Sequence, residues 1–150
     1  MPIFEPVANF ALARSTRNQP LDQIADSMAA AGQTLELIFG AAADSDHNRR
    51  LINHIVGIER WGQQRLRTAL GEPLVIDEYD GYRPPRAATL PELQADFAAT
   101  RRDTVALTCE LGAAGAEAVR LPHNQIGNLS VRSWLGYLNI HANWEAKKLK

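Results

Sequence analysis

The chain has 150 residues, which is enough for one domain with a sizeable core and too few for two. Its 45% hydrophobic and 22% charged residues are typical of globular proteins and exclude a disordered or collagen-like chain. With 16 Lys and Arg against 17 Asp and Glu, the net charge of -1 favours neither nucleic acid nor an anionic membrane as a partner.

The composition also indicates a compartment. Cys109 is the single cysteine, so an internal disulfide is excluded, and we interpret it as a small buried hydrophobic residue in a reducing setting. Residues 1–20 form a poor signal peptide, because no basic stretch precedes their apolar residues. No apolar run approaches the length of a membrane span. We therefore expect a soluble, cytoplasmic protein with residues 1–20 as an N-terminal arm.

Two amphipathic helices are predicted in the first half of the chain. Apolar residues recur at helical spacing from Leu21 and predict a first helix over residues 21–42. The acidic and serine cluster at 44–46 offers N-cap residues for a second helix, whose apolar stripe contains His54. This second helix is predicted to end near Gly71.

A long connection and a third helix are predicted next. Residues 71–89 contain three prolines and two glycines without a helical period, which indicates a crossover rather than a tight turn. Thr89 and Glu92 have the spacing of a capping box around Pro91. The third helix is therefore predicted to begin there and to be interrupted by the GAAG segment at 112–115.

The last helix completes the predicted architecture. A loop containing His123 is predicted up to Gly127, and a fourth helix is predicted to begin at Asn128 or Ser130 and to run to the C-terminus. Four amphipathic helices with almost no alternating apolar pattern predict an all-α fold. We expect residues 21–150 to form a four-helix bundle with a long crossover between its second and third helices.

Three polar residues fall on stripes that are otherwise apolar: His54 in the second predicted helix, and His141 and Glu145 in the fourth. His141 and Glu145 are four residues apart, so their side chains leave the same face one turn apart and can reach one ion together. The structural alternative stays open, because a histidine on an apolar face is more often a hydrogen-bonded core residue than a metal ligand.

The depth of these residues along their helices favours a shared site. With a rise of about 1.5 Å per residue, His54 lies roughly 12 Å from the start of the second helix. His141 lies about 14 Å and Glu145 about 8 Å from the C-terminal end of the fourth. The three side chains meet at one height if these two helices are antiparallel. The long crossover allows that arrangement, because it lets the third helix run parallel to the second.

Three segments carry a resemblance to a known family: LINHIVGIERWGQQRL around His54, RPPRAATLPELQADFAATRRDTVALTCEL and NLSVRSWLGYLNIHANWEAKKLK. They resemble the second, third and last helices of the DinB-like (DinB/YfiT) superfamily. In that family the second helix carries a metal-binding histidine, and two histidines four residues apart on the last helix complete the site. The resemblance covers residues 21–150 and implies metal ligands at His54 and His141. Glu145 occupies the position of the family's second histidine in the last helix.

The resemblance also implies an activity. Members of the family include enzymes that use a divalent ion to activate a low-molecular-weight thiol, so a metal-dependent thiol S-transferase acting on a small electrophile is expected. Two imidazoles with one carboxylate suit zinc, nickel or iron. No residue stands out as a general base. The alternative is a non-catalytic homodimeric bundle that serves as a structural or partner-binding module, with Ala- and Leu-rich faces of the first and third helices at the dimer contact.

Other polar residues have weaker patterns. His47 is interpreted as part of a solvated helix start. His123 is expected on the surface rather than in a pocket wall. Glu59 is expected either to support a ligand or to form a salt bridge. Four polar crossover residues are expected either to shape the mouth of a pocket at one end of the bundle or to pack inertly: Tyr79, Asp80, Tyr82 and Arg83.

Overall fold

The computed structural model describes residues 18–150, and four α-helices lie in this range. They are α1 (Leu21–Gly40), α2 (Asp46–Arg67), α3 (Leu90–Ala113) and α4 (Val131–Ala146). Residues 1–17, most of the expected N-terminal arm, lie outside the described part. The described chain is mostly helical, as predicted. None of the helices in residues 18–150 has the combination of length and apolar character needed to cross a membrane.

Short polar caps set the helix boundaries. The Ser45 hydroxyl accepts a hydrogen bond from the Asn48 N–H at the start of α2. Thr89 forms the predicted capping box with Glu92 at the start of α3. The Ser130 hydroxyl accepts the Ser133 N–H, so α4 begins after Ser130, which confirms one of the two predicted starts and excludes Asn128. After α2 a 3-10 turn, Thr68–Leu70, leads into the crossover.

A β-hairpin replaces the loop that was predicted before the last helix. Strands β1 (Arg120–His123) and β2 (Gly127–Ser130) pair antiparallel, with Leu121 opposite Leu129. Both leucines are buried. The prediction of a loop was wrong because each strand has only four residues, too few for alternation to be distinguished from chance. The all-α prediction is therefore correct for the helices and wrong for this hairpin.

Helices α2 and α4 pack against each other and run antiparallel. His47, in the first turn of α2, donates through Nε2 to the carbonyl oxygen of Lys148, just past the end of α4, at 2.8 Å. Towards the other end of α2, Gly62 lies directly against Leu138, in the first half of α4. The predicted orientation of these two helices is confirmed.

Helices α2 and α3 run parallel, also as predicted. Arg60 of α2 forms an ion pair with Asp96 of α3 at 3.2 Å, and Gln63, further along α2, donates to Thr104, further along α3, at 2.8 Å. The crossover between them includes a short 3-10 helix, Tyr79–Tyr82, that contacts α2. A long connection was necessary because a parallel neighbour must start again at the same end.

The buried core contains an ion pair. Apolar side chains of all four helices form two clusters, one around Trp134 and one around Phe97. Between helices α2 and α3, Arg101 donates to both carboxylate oxygens of Glu59 at 2.7 and 2.9 Å, and both side chains are almost fully buried. Glu59 therefore has the salt-bridge role, which was one of its two predicted roles. The Thr104 hydroxyl also donates to the same carboxylate, at 2.8 Å.

Cys109 is exposed, which contradicts the expectation of a small buried residue. The buried face of α3 is defined here by Thr104, Leu107, Thr108 and Leu111. Cys109 follows this face by one residue, about 100° around the helix, and so points to solvent.

Candidate metal centre

The structure brings together the three residues predicted to share a metal ion. One ligand atom from each of His54, His141 and Glu145 lies within 4.8 Å of the others. Helix α2 supplies His54, and α4 supplies His141 and Glu145 from consecutive turns of one face. All three side chains are half-buried. The antiparallel packing of α2 and α4 is what places residues 87 positions apart, His54 and His141, in contact.

The spacing of the two imidazoles is suitable for a metal ion. The Nε2 atoms of His54 and His141 are 3.1 Å apart, so in the protein alone one ring donates its N–H to the other. Two nitrogens bound to zinc in tetrahedral geometry are each about 2.0–2.1 Å from the ion and thus about 3.3 Å from each other. The pair therefore needs little movement to bind a common ion.

Both imidazoles are held in the neutral form that binds metals. Burial lowers the pKa of the His54 ring. Burial, and then the proximity of His54, lowers the pKa of His141 to about 4. At neutral pH each ring thus keeps a nitrogen lone pair available, and no proton has to be displaced from an imidazolium before an ion binds.

The carboxylate of Glu145 supplies negative charge at the same place. Burial acts to raise its pKa, but a hydrogen bond from the Lys148 ammonium, at 2.8 Å, and the lysine charge outweigh burial and leave the pKa lowered. Glu145 is therefore ionised at neutral pH. The donor set is two neutral imidazoles and one carboxylate, a combination that zinc, nickel and iron accept.

Aromatic rings surround the pair of histidines. Tyr79, from the crossover, is nearly perpendicular to the His54 ring with a centroid distance of 5.1 Å. Tyr137, one turn before His141 on α4, lies 5.8 Å from the ring of that histidine. Burial, followed by the charge of Glu145, raises the pKa of Tyr137 to about 12, so its phenol is protonated at neutral pH. Tyr79 of the crossover therefore borders the candidate metal centre.

His123 is buried, which contradicts its predicted position on the surface. It is 6% exposed and contacts the rings of Trp61, Trp134 and Tyr137 at centroid distances of 5.2, 4.9 and 4.6 Å. The error follows from the unrecognised hairpin, because β1 directs alternate side chains inward. Leu121 and His123 are the two buried positions of that strand, and their two-residue spacing is the sequence feature that could have indicated the burial of His123.

Hydrogen bonds determine which nitrogen of His123 carries the proton. Its Nδ1 accepts the backbone N–H groups of Gln125 and Ile126 at 3.0 and 3.2 Å. The proton is therefore on Nε2, which has no hydrogen-bond partner among residues 18–150. Burial and then the charge of Arg65 lower the pKa of His123 to about 4, so the ring is neutral at physiological pH.

The remaining candidate, His47, lies away from the centre. Its ring is exposed and donates a hydrogen bond to the carbonyl oxygen of Lys148, as is consistent with a solvated helix start.

No model of a known protein family matches this chain, and neither a curated protein nor a solved structure matches it. Functional assignment therefore depends on the geometry of the centre.

Proposed function

We propose that this chain is a DinB-like four-helix bundle that binds one divalent ion through His54, His141 and Glu145 and acts as a metal-dependent thiol S-transferase. The observation that carries the proposal is the meeting of these three side chains, with two neutral imidazole nitrogens 3.1 Å apart. The parallel α2 and α3 and the antiparallel α2 and α4 agree with the arrangement expected from the long crossover, which lets the three side chains share one ion.

The chemistry requires a thiolate at neutral pH. A bound divalent ion would act as a Lewis acid that lowers the pKa of a thiol in contact with it. The thiol proton goes to solvent, the sulfur forms a bond to the electrophilic carbon, and the leaving group departs with its electron pair. Tyr137 does not serve as the base, because its phenol is protonated at neutral pH. The rings of Tyr79 and Tyr137 limit water around His54 and His141.

Metal content tests the first part of the proposal. Protein purified without an affinity tag and reconstituted separately with zinc, nickel, manganese and iron should hold about one ion per chain by elemental analysis. His54→Ala and His141→Ala should each abolish binding, because two remaining ligands are too few for a stable site. His47→Ala removes an exposed histidine from the same helix and should retain the ion. Wild-type protein that binds none of the four metals would refute the proposal and favour a structural role for the trio in a non-catalytic module.

Thiol transfer tests the second part. The metal-loaded protein should accelerate the reaction of a low-molecular-weight thiol with a chromogenic electrophile, and His54→Ala should not. A metal-loaded protein without this acceleration, across a panel of thiols, would refute the S-transferase activity and leave only a metal-binding protein.

A further inference from the structure

A cavity lined by arginines is built from α2 and the crossover, the two elements that also supply His54 and Tyr79 at the candidate metal centre. It has a volume of about 560 Å³ and is bordered by the first half of α2 and the crossover. Its charged and polar lining includes Arg49, Arg50, Arg83 and Arg86 with Asn53 and Asp80. Asn53 directly precedes His54 in α2. The volume is in the range of small-molecule sites, which is about 300–1,000 Å³.

The positive charge of the cavity is only partly neutralised. Arg49 forms ion pairs with Asp44 and Asp46, and Arg83 lies 3.5 Å from a carboxylate oxygen of Asp80. The guanidinium groups of the other two arginines in the lining, Arg50 and Arg86, form no hydrogen bond or ion pair with any residue in the described range 18–150. The cavity therefore has two guanidinium groups available for an anion.

Arg83 is held in a defined position. Its Nε donates to Asn53 Oδ1 at 2.6 Å, and the Asn53 amide donates to the carbonyl oxygen of Pro84 at 2.9 Å. A Cβ at Gly57 would lie 2.6 Å from Arg83 Cγ, so the glycine allows the arginine to lie directly on α2. A guanidinium that is already ordered loses less conformational entropy when a ligand binds.

One aromatic ring connects this arginine to the metal centre. The Arg83 guanidinium carbon lies 5.8 Å from the centroid of the Tyr79 ring, and Tyr79 contacts His54. Arg83 and His54 therefore contact the same ring, that of Tyr79. Binding at the arginines would place the rest of a small molecule near the centre.

We infer that this cavity binds the carboxylate of a small organic anion whose other end reacts at the metal centre. The inference rests on the proposed function and adds a substrate class to it. Planar guanidinium groups bind carboxylates through two parallel hydrogen bonds. Leu93 and Ala88 in the lining provide apolar contact for a hydrocarbon segment, which an organic carboxylate has and inorganic phosphate lacks.

Succinate is the probe, titrated by calorimetry at low ionic strength into both the metal-free and the zinc-loaded protein. Arg83→Gln should weaken its affinity at least tenfold, as should the double variant Arg50→Gln/Arg86→Gln. The double variant keeps the test valid if Arg83→Gln misfolds, because the side chains of Arg50 and Arg86 are exposed and have no partner within the described chain, so their replacement should leave the fold intact. Arg102→Gln is the matched control, since Arg102 is an exposed arginine of α3 outside the cavity, and it should bind as wild type does.

The outcomes separate this inference from the proposed function. His54→Ala should lose the metal and keep succinate binding. Succinate binding that disappears in His54→Ala and persists in both arginine variants would place the anion on the metal and overturn the inference alone. Equal losses in Arg102→Gln would also overturn it, by showing a nonspecific charge effect. Inorganic phosphate that binds more tightly than succinate would overturn the assignment to a carboxylate.

Discussion

Acid should destabilise this protein through His123. In the folded protein burial and the Arg65 charge lower the pKa of this ring from 6.5 to about 4. Between these two values the unfolded chain binds a proton that the folded chain does not, so the free energy of unfolding falls as the pH falls. At about 1.36 kcal/mol for each pKa unit, the loss from this residue between pH 7 and pH 4 is about 3 kcal/mol.

The variant His123→Asn isolates this contribution. The Asn side-chain oxygen can accept the N–H groups of Gln125 and Ile126 as Nδ1 does, but the side chain takes up no proton. Urea denaturation at pH 7 and at pH 4 gives the free energy of unfolding. A chelator is present at both pH values, so that acid-induced release of metal does not contribute to the difference. Wild-type protein should lose about 3 kcal/mol more than the variant on acidification.

A second variant separates titration from simple destabilisation. Leu129→Ala removes buried volume from the same hairpin without removing a titrating group, so it should lose as much stability between the two pH values as wild type does. Equal acid-induced losses in wild type and His123→Asn would refute the reasoning, because they would mean that His123 titrates alike in the folded and unfolded chains.

Three further predictions concern the centre and the contacts that support it. Glu145→His should retain or tighten binding of nickel or zinc in calorimetric titration, because imidazole is the softer ligand, and weaker binding of both ions would contradict this. Glu59→Ala should lower the free energy of unfolding by about 3–5 kcal/mol in denaturant, because Arg101 would keep a buried, unpaired charge. Asp96→Ala, which breaks a partly exposed ion pair, should lower the free energy of unfolding by about 1 kcal/mol or less. Equal losses of stability in Glu59→Ala and Asp96→Ala would contradict this difference between a buried and a partly exposed pair. Gly57→Ala should destabilise the protein by about 1–3 kcal/mol, because its Cβ would overlap Arg83, whereas Gly40→Ala, with open space at its Cβ, should not.

The sequence by itself determined the features that depend on neighbouring residues. Apolar periodicity and local caps predicted the helices, and the capping box of Thr89 with Glu92 is present as predicted. The spacing of His141 and Glu145, with the position of His54 along α2 and the long crossover, was sufficient to predict that the three side chains meet. Each of these inferences uses only helix geometry and chain connectivity, which are the same in any helical protein.

The tertiary structure decided the features that depend on contacts between distant segments. The hairpin that buries His123 is stabilised by pairing and by packing on α2 and α4, and its four-residue strands contain too little local pattern to be recognised. The placement of Arg83 on Gly57, beside Asn53, likewise involves residues about thirty positions apart. Such contacts depend on how side chains from separate elements fill space together, and the order of residues along one element does not specify that packing.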